Sequence, residues 1–114
     1  MKLRLHGDSL RLRLSQSDVE KLEKNGHVED EIPFASGRML VFSLESGAAI
    51  GAQLDGSHIR ITLPSLEVAK WAGSDQVGIE GTSGPLRVIV EKDFQCLHRD
   101  GPEDADSFPN PLAE

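Results

Sequence analysis

Residues 2–14 read Lys-Leu-Arg-Leu-His-Gly-Asp-Ser-Leu-Arg-Leu-Arg-Leu, and this stretch decides how the chain begins to fold. Leucines alternate with polar, mostly basic residues on both sides of Gly7-Asp8, and a period of two residues is typical of half-buried strands. Glycine followed by aspartate suits a two-residue hairpin turn. The turn therefore predicts that Arg4 lies opposite Arg11 and Lys2 opposite Arg13, on the face away from the leucines.

The rest of the chain alternates between strand and helix patterns. Ser15 with Asp18 three positions later predicts the start of a helix, and Asn25-Gly26 predicts its left-handed end. Apolar strands follow, and Asp55-Gly56 is a second hairpin signal. A second short helix is predicted from Ser65 to Ala72, before Gly73.

The two halves share one order of elements, hairpin, helix, strand, strand. A shift of 49 positions sets Arg11 on Arg60 and Val28 on Val77, and a shift of 47 sets Val41 on Val88. This predicts an internal repeat with halves at about 1–46 and 47–99. Chance similarity between two amphipathic stretches is the alternative, and the residues leave both open.

The predicted fold class is α+β, in a single domain over residues 1–99. It has about eight strands, two short helices and a mainly antiparallel sheet that is curled or barrel-like, since closure removes exposed edges. Residues 100–114 are an acidic, proline-containing tail that cannot continue a strand ladder. We expect it to be loose or to lie over the domain through Phe108.

Two family resemblances follow from these patterns. The duplicated order of strands and helix over residues 9–98 resembles the CYTH-like triphosphate-tunnel fold, which implies a wide barrel. That family begins with alternating glutamates, whereas this chain begins Lys-Leu-Arg-Leu-His, so no catalytic residue is carried over. Three stretches, Leu10-Arg-Leu-Arg-Leu-Ser-Gln-Ser, Val90-Glu-Lys-Asp-Phe with Cys96-Leu97, and Phe108-Pro-Asn-Pro, resemble a family of short uncharacterised bacterial proteins. This resemblance implies a bacterial source and no known chemistry.

Composition excludes several classes of function. The formal net charge of −7 and the scarcity of aromatic residues argue against nucleic-acid binding. No apolar run is long enough to span a membrane. The single cysteine, Cys96, allows no internal disulfide, which favours a reducing cytoplasm.

The basic face of the first hairpin is the main candidate site. Its ligand-binding residues are predicted to be Lys2, Arg4, Arg11 and Arg13, joined by Arg60 if the repeat holds. Arginine forks bind phosphate or carboxylate, and like charges opposite each other destabilise a sheet unless an anion is near. The favoured alternative is internal pairing with carboxylates of neighbouring strands, namely Glu29, Asp30, Glu31 or Glu80. Glu91 and Asp93 are expected to be solvated.

A metal site and a cysteine nucleophile are weaker alternatives. Cys96 as a nucleophile would need a positioned base, and nothing orients His98, two residues away. Cys96, His98 and Asp100 alternate and could share a strand face near His6 or His58, but no second cysteine pair or histidine spacing supports zinc. No cofactor is predicted.

Two functions remain open. The first is a non-catalytic cytoplasmic binding or accessory protein that contacts another protein. The sequence favours this function over an enzymatic one, because it shows no catalytic constellation. The second is phosphate- or nucleotide-type anion binding or hydrolysis by an arginine-lined barrel. The partner is accordingly an unknown protein or an anionic small molecule.

Overall fold

A computed structural model describes residues 1–94 and residue 108 of the chain. A short 3-10 turn over Ala35–Gly37 interrupts the longest hairpin. The other elements are, in chain order, β1 (Lys2–His6), β2 (Ser9–Leu14), α1 (Gln16–Asn25), β3 (His27–Pro33), β4 (Met39–Gly47), β5 (Gly51–Asp55), β6 (His58–Pro64), α2 (Ser65–Ala72), β7 (Gly78–Ser83) and β8 (Leu86–Lys92).

The strands form two four-stranded sheets. The first has the order β1-β2-β8-β7 and the second β3-β4-β6-β5. Each sheet therefore takes one hairpin from each half of the chain. The hairpins themselves are antiparallel, and the two central pairs, β2 with β8 and β4 with β6, are parallel.

The α+β class, the two helices and the eight strands are confirmed over the described residues, but the single curled or barrel-like sheet is not. Parallel pairing at the centre of each sheet separates the strands into two sheets of four, with β1, β7, β3 and β5 left as edges. Side chains connect these edges. The Met1 ammonium bonds Asp30 of β3, and the Ser83 hydroxyl of β7 bonds the backbone of Ala52 in β5. Across 1–94 and 108 the sheets do not close into a barrel, and the triphosphate-tunnel resemblance finds no support.

Both helices begin and end where the sequence predicts. Ser15 and Asp18 form a reciprocal capping box on α1, and Gly26 ends that helix with a φ of 71°. Glycine adopts this left-handed conformation without a steric clash because it has no Cβ atom. The helix α2 spans Ser65–Ala72, as predicted, although its N-cap, Pro64, makes no side-chain hydrogen bond.

One hydrophobic core unites the sheets and helices. Leucines of β2, valines of β8 and apolar residues of β4 and β6 all lie in the same cluster. Trp71 of α2 is fully buried, and its indole N–H donates to the Val77 carbonyl at 3.0 Å. Trp71 is therefore a core residue.

Strand pairing gives the two halves a different register from the one predicted. Leu12 pairs with Val90, as Ile61 pairs with Leu44, so Leu44 and Val90 occupy matching places. The matching shift in β4 and β8 is thus 46 positions rather than 47. Val28 pairs with Leu44 and Ile79 with Val90, so the counterpart of Val28 is Ile79 rather than Val77. The connections between these elements differ in length, which a fixed shift cannot represent.

Phe108 contacts the end of the described domain. Its ring meets Phe94 edge to face, with centroids 6.1 Å apart, and its N–H donates to the Asp93 carbonyl at 2.8 Å.

Candidate functional site

The first hairpin has the register that its turn predicts. Arg4 pairs with Arg11 and Lys2 with Arg13. The intervening leucines of β2 are buried in the core, so alternation places the basic side chains on the outer face of the first sheet. The geometry that forces like charges together is therefore present.

Strand β8 and the residue that follows it supply the counter-charges, because β8 lies parallel to β2 and sets Glu91 beside Arg13. The Arg13 Nε lies 2.9 Å from Glu91 Oε1, and the Arg11 Nε lies 3.7 Å from the same oxygen. Lys2 Nζ lies 2.9 Å from Asp93 Oδ2. Pairing of the basic face with carboxylates of the chain was expected, but with other carboxylates than Glu91 and Asp93.

Within residues 1–94 and 108, none of the partners named from the sequence forms an ion pair with the basic residues of the first hairpin, whose carboxylate partners are Glu91 and Asp93. Glu80 is taken by Arg87 of the neighbouring strand, Glu29 lies near His27, and Asp30 holds the Met1 ammonium. Glu91 and Asp93, expected to be solvated, are the carboxylates that pair with Lys2, Arg11 and Arg13. The sequence predicted mainly antiparallel pairing between neighbouring strands, whereas β2 and β8 are distant in the chain and pair in parallel. The sequence therefore did not predict Glu91 and Asp93 as partners.

A cavity of about 250 Å³ opens on the same face, beside the hairpin turn. It is lined by Arg4, His6, Ser9 and Arg11. The Ser9 hydroxyl donates to the His6 carbonyl at 2.9 Å. Arg4 is exposed, and over the described part of the chain its guanidinium makes no hydrogen bond or ion pair. The cavity therefore combines one unpaired arginine with Arg11, whose Nε contact with Glu91 is long.

Arg60 does not join this cluster. It lies in β6, on the second sheet, opposite Gln53, and its Nε is 3.6 Å from Glu45 Oε1. That Nε is buried without a hydrogen-bond partner. The expectation that Arg60 extends the basic face is wrong, because the two halves contribute matching hairpins to different sheets.

The hairpin β5–β6 of the second sheet has the same register as β1–β2 but lacks the paired arginines. Gln53 pairs with Arg60 as Arg4 pairs with Arg11, and Asp55 pairs with His58 as His6 pairs with Ser9. The same backbone frame thus carries an amide and a carboxylate where the first sheet carries an arginine and a histidine. The paired arginines are confined to the first sheet within residues 1–94.

A serine–histidine pair on the second sheet was missed from the sequence. Ser43 Oγ and His58 Nε2 are hydrogen-bonded at 2.8 Å, and Ser43 has no exposed surface. A nucleophile must be reachable by its substrate, so this burial favours a packing role for the pair. Only the parallel register of β4 and β6 brings these residues together.

The tip of the β3–β4 hairpin carries an exposed apolar patch, also missed from the sequence. Phe34 is 59% exposed and Met39 44% exposed. The pair Ile32–Leu40 in this hairpin occupies the place of the pair Ser83–Leu86 in β7–β8. Seven residues lie between Ile32 and Leu40 and two between Ser83 and Leu86, so the β3–β4 connection is five residues longer. A shallow cavity of about 390 Å³ at the tip is lined by Phe34, Ala35, Ser36, Arg38, Met39, Leu40 and Ser57.

Lys92 is the one charged side chain that is buried among residues 1–94 and 108. It is 6% exposed, its Nζ donates to the Ser74 carbonyl at 2.7 Å, and it lies 5.2 Å from the centroid of the Phe108 ring. Burial lowers the pKa of this ammonium, and the charge of Asp75 opposes that effect. Lys92 thus contacts Phe108 together with Asp93 and Phe94.

The metal hypothesis receives no support from the described residues, where no three His, Cys, Asp or Glu side chains group as metal ligands. Cys96, His98 and Asp100, on which that hypothesis depended, lie outside residues 1–94 and 108. None of the described helices has the length and apolar character needed to cross a bilayer.

The chain belongs to a family of unknown function, DUF7009, which matches residues 1–112. This agrees with the predicted membership in a family of uncharacterised proteins. No curated protein and no solved structure matches the chain.

Proposed function

We propose that the protein binds a small anionic ligand in the cavity lined by Arg4, His6, Ser9 and Arg11. The observation that carries the proposal is Arg4, which faces Arg11 across the hairpin and has no counter-charge within the described chain. Like charges directly opposite on a sheet are destabilising. A ligand with an oxyanion removes that repulsion and forms charge-assisted hydrogen bonds to both guanidinium groups.

A titration followed by thermal unfolding tests this proposal. For a Kd of about 1 mM, 10 mM sodium phosphate at low salt stabilises the folded state by about 1.4 kcal/mol, which raises the Tm by about 5–10 °C. Sodium chloride at equal ionic strength serves as the control for screening.

Arg11→Ala and Arg60→Ala form a matched pair for the same experiment. Both arginines lie beside a glutamate at a similar distance, 3.7 Å and 3.6 Å, but only Arg11 lines the cavity. We expect Arg11→Ala and Arg4→Ala to abolish the phosphate-dependent shift and Arg60→Ala to retain it. Equal shifts in all three variants would rule out the cavity as the binding site.

A second candidate function is contact with another protein through the hairpin tip. The exposed Phe34 and Met39 beside Arg38 favour a partner segment that carries an apolar side chain next to a carboxylate. Residues that project from a rigid scaffold on a lengthened loop commonly mediate binding. Proton–nitrogen NMR spectra recorded with an Asp-Phe-Asp-Leu peptide test it, with perturbations expected at residues 34–40 and absent in Phe34→Ser.

The cellular setting is also a proposal. The single cysteine and the likeness to a bacterial family support a bacterial cytoplasm, where thiols stay reduced. The proposed role in either case is binding, and the overall acidity of the chain favours a ligand other than nucleic acid.

A further inference from the structure

The outer face of the first sheet carries more basic groups than the carboxylates that pair with them. Five lysine and arginine side chains lie on it, namely Lys2, Arg4, Arg11, Arg13 and Arg87. Three carboxylates pair with them, namely Glu80, Glu91 and Asp93. Five positive charges against three negative ones leave two uncompensated.

The excess charge is localised at the turn end of the hairpin. Lys2 and Arg13 have carboxylates at 2.9 Å each, and Arg87 is bonded to Glu80. Arg11 shares Glu91 with Arg13 at the longer distance of 3.7 Å, and Arg4 has no such contact within residues 1–94 and 108. The uncompensated charge therefore lies at Arg4 and Arg11, which line the cavity.

We infer that the ligand of this cavity is a phosphate monoester in its dianionic form. The inference rests on the proposed anion binding and goes further by fixing the charge and chemical class of the ligand. A dianion balances both uncompensated charges, whereas a carboxylate or a phosphodiester balances one.

The geometry also suits a tetrahedral group. Directly opposed residues of antiparallel strands have Cβ atoms about 5 Å apart, so two guanidinium groups can approach different oxygens of one phosphate. Planar guanidinium forks bind phosphate oxygens through paired N–H donors. The cavity of about 250 Å³ leaves room for a small substituent on the ester oxygen.

The charge of the ligand depends on pH in a way that separates a monoester from other anions. The second pKa of a phosphate monoester is about 6, so at pH 5 about one-tenth of the ligand is dianionic. Sulfate remains a dianion across this range.

The charged groups around the cavity are the same for both ligands. Arg4 and Arg11 line the cavity, and Arg87 is paired with Glu80. His6 lines the cavity, Glu91 lies beyond Arg11, and Asp8 lies in the turn. Both ligands meet this same set of groups, and sulfate keeps its own charge between pH 5.0 and pH 7.5, so sulfate is the internal reference.

The experiment is calorimetric titration of the full chain at low salt with glycerol 3-phosphate and with sulfate, at pH 7.5 and pH 5.0. We expect the affinity for glycerol 3-phosphate to fall about tenfold at the lower pH, relative to sulfate. At pH 7.5, dimethyl phosphate and acetate, which carry one charge, are expected to bind at least tenfold more weakly than the dianions.

Two failures have different meanings. If dimethyl phosphate binds as tightly as glycerol 3-phosphate, or if the pH change affects both dianions equally, the inference of a dianionic monoester is wrong while anion binding stands. If no anion binds more tightly to the native chain than to Arg11→Ala, the proposed function itself is wrong.

An Arg4→Ala variant adds a readout that is independent of folding. With one guanidinium remaining, the preference for dianions over dimethyl phosphate is expected to fall toward unity. Lys2→Ala, which removes a cation already paired with Asp93, is expected to keep the preference of the native chain. An unchanged preference in Arg4→Ala would overturn the assignment of charge selectivity to this pair.

Discussion

The α-ammonium of Met1 lies 2.6 Å from Asp30 Oδ2 and 3.1 Å from Asp18 Oδ2. It joins the beginning of β1 to edge strand β3 of the other sheet and to the first turn of α1. At the opposite pair of edges, Ile50, which precedes β5, occupies the space above Gly81 of β7. An ion pair and an apolar contact thus perform the same role, holding a strand of one sheet near an edge of the other.

The Met1 ion pair makes stability depend on alkaline pH. Burial alone lowers the pKa of the ammonium, but the hydrogen bonds and charges of Asp30 and Asp18 outweigh it, so the folded-state pKa is raised. A raised pKa stabilises the folded state fully below the unfolded value, about 8, and this stabilisation is lost as pH rises through the folded value. Urea unfolding at pH 7 to pH 10 should show this loss, and Asp30→Asn should reduce it. Glu29→Gln, a change on the same strand, should leave the native pH dependence, and an identical slope in Asp30→Asn would contradict the ion pair.

Glu91 should compete with the ligand for Arg11. Glu91→Gln removes the charge shared by Arg11 and Arg13, so we expect affinity for glycerol 3-phosphate to rise several-fold in calorimetric titrations, while thermal stability without ligand falls by about 1 kcal/mol or less. Glu45→Gln makes the matching change beside Arg60 and should leave affinity unaltered. A fall in affinity in Glu91→Gln would mean that Glu91 organises the cavity rather than competing within it.

Gly81→Ala should strain the contact with Ile50. A Cβ at this position would lie 2.7 Å from Ile50 Cδ1, and forced displacement of a packed side chain costs about 1 kcal/mol. In an Ile50→Val background the Cδ1 atom is absent, so the same change should cost less in a double-mutant cycle by urea unfolding. Gly51→Ala, which meets nothing within 4 Å, is the control. Equal costs for Gly81→Ala in both backgrounds would show that the Ile50 contact does not limit this site.

Phe108→Ala should destabilise the domain by about 1–2 kcal/mol, because it removes the edge-to-face contact with Phe94 and the ring beside Lys92. Phe34→Ala is the matched change at an exposed phenylalanine, and its effect should stay within about 0.5 kcal/mol. Chemical unfolding of both variants measures the difference. If the two substitutions prove equally mild, Phe108 does not anchor the tail.

Local features of this fold could be read from the sequence because they depend on neighbours along the chain. The register of Arg4 with Arg11, the Ser15 cap and the left-handed Gly26 each depend on a few consecutive residues. The hairpin turn fixes its own strands, and a capping residue fixes its own helix. That the two halves derive from one duplicated sequence stays a prediction.

Arrangements that depend on distant parts of the chain could not be read. Arg13 and Glu91 are 78 positions apart, and nothing in either segment states that β2 and β8 lie side by side. Alternation predicts which face a residue occupies, but not which hairpins share a sheet. The same gap placed Arg60 on the wrong sheet and left the exposure of Phe34 unforeseen.

The interleaving of hairpins from the two halves has a consequence for synthesis of the protein. The hairpin β1–β2 completes its sheet only with β7 and β8, at residues 78–92. On the ribosome, the edge of β2 that pairs with β8 therefore has no strand partner until most of the chain has emerged. Neither half contains a complete sheet, so two separately produced halves would gain their native sheets only by assembling with each other.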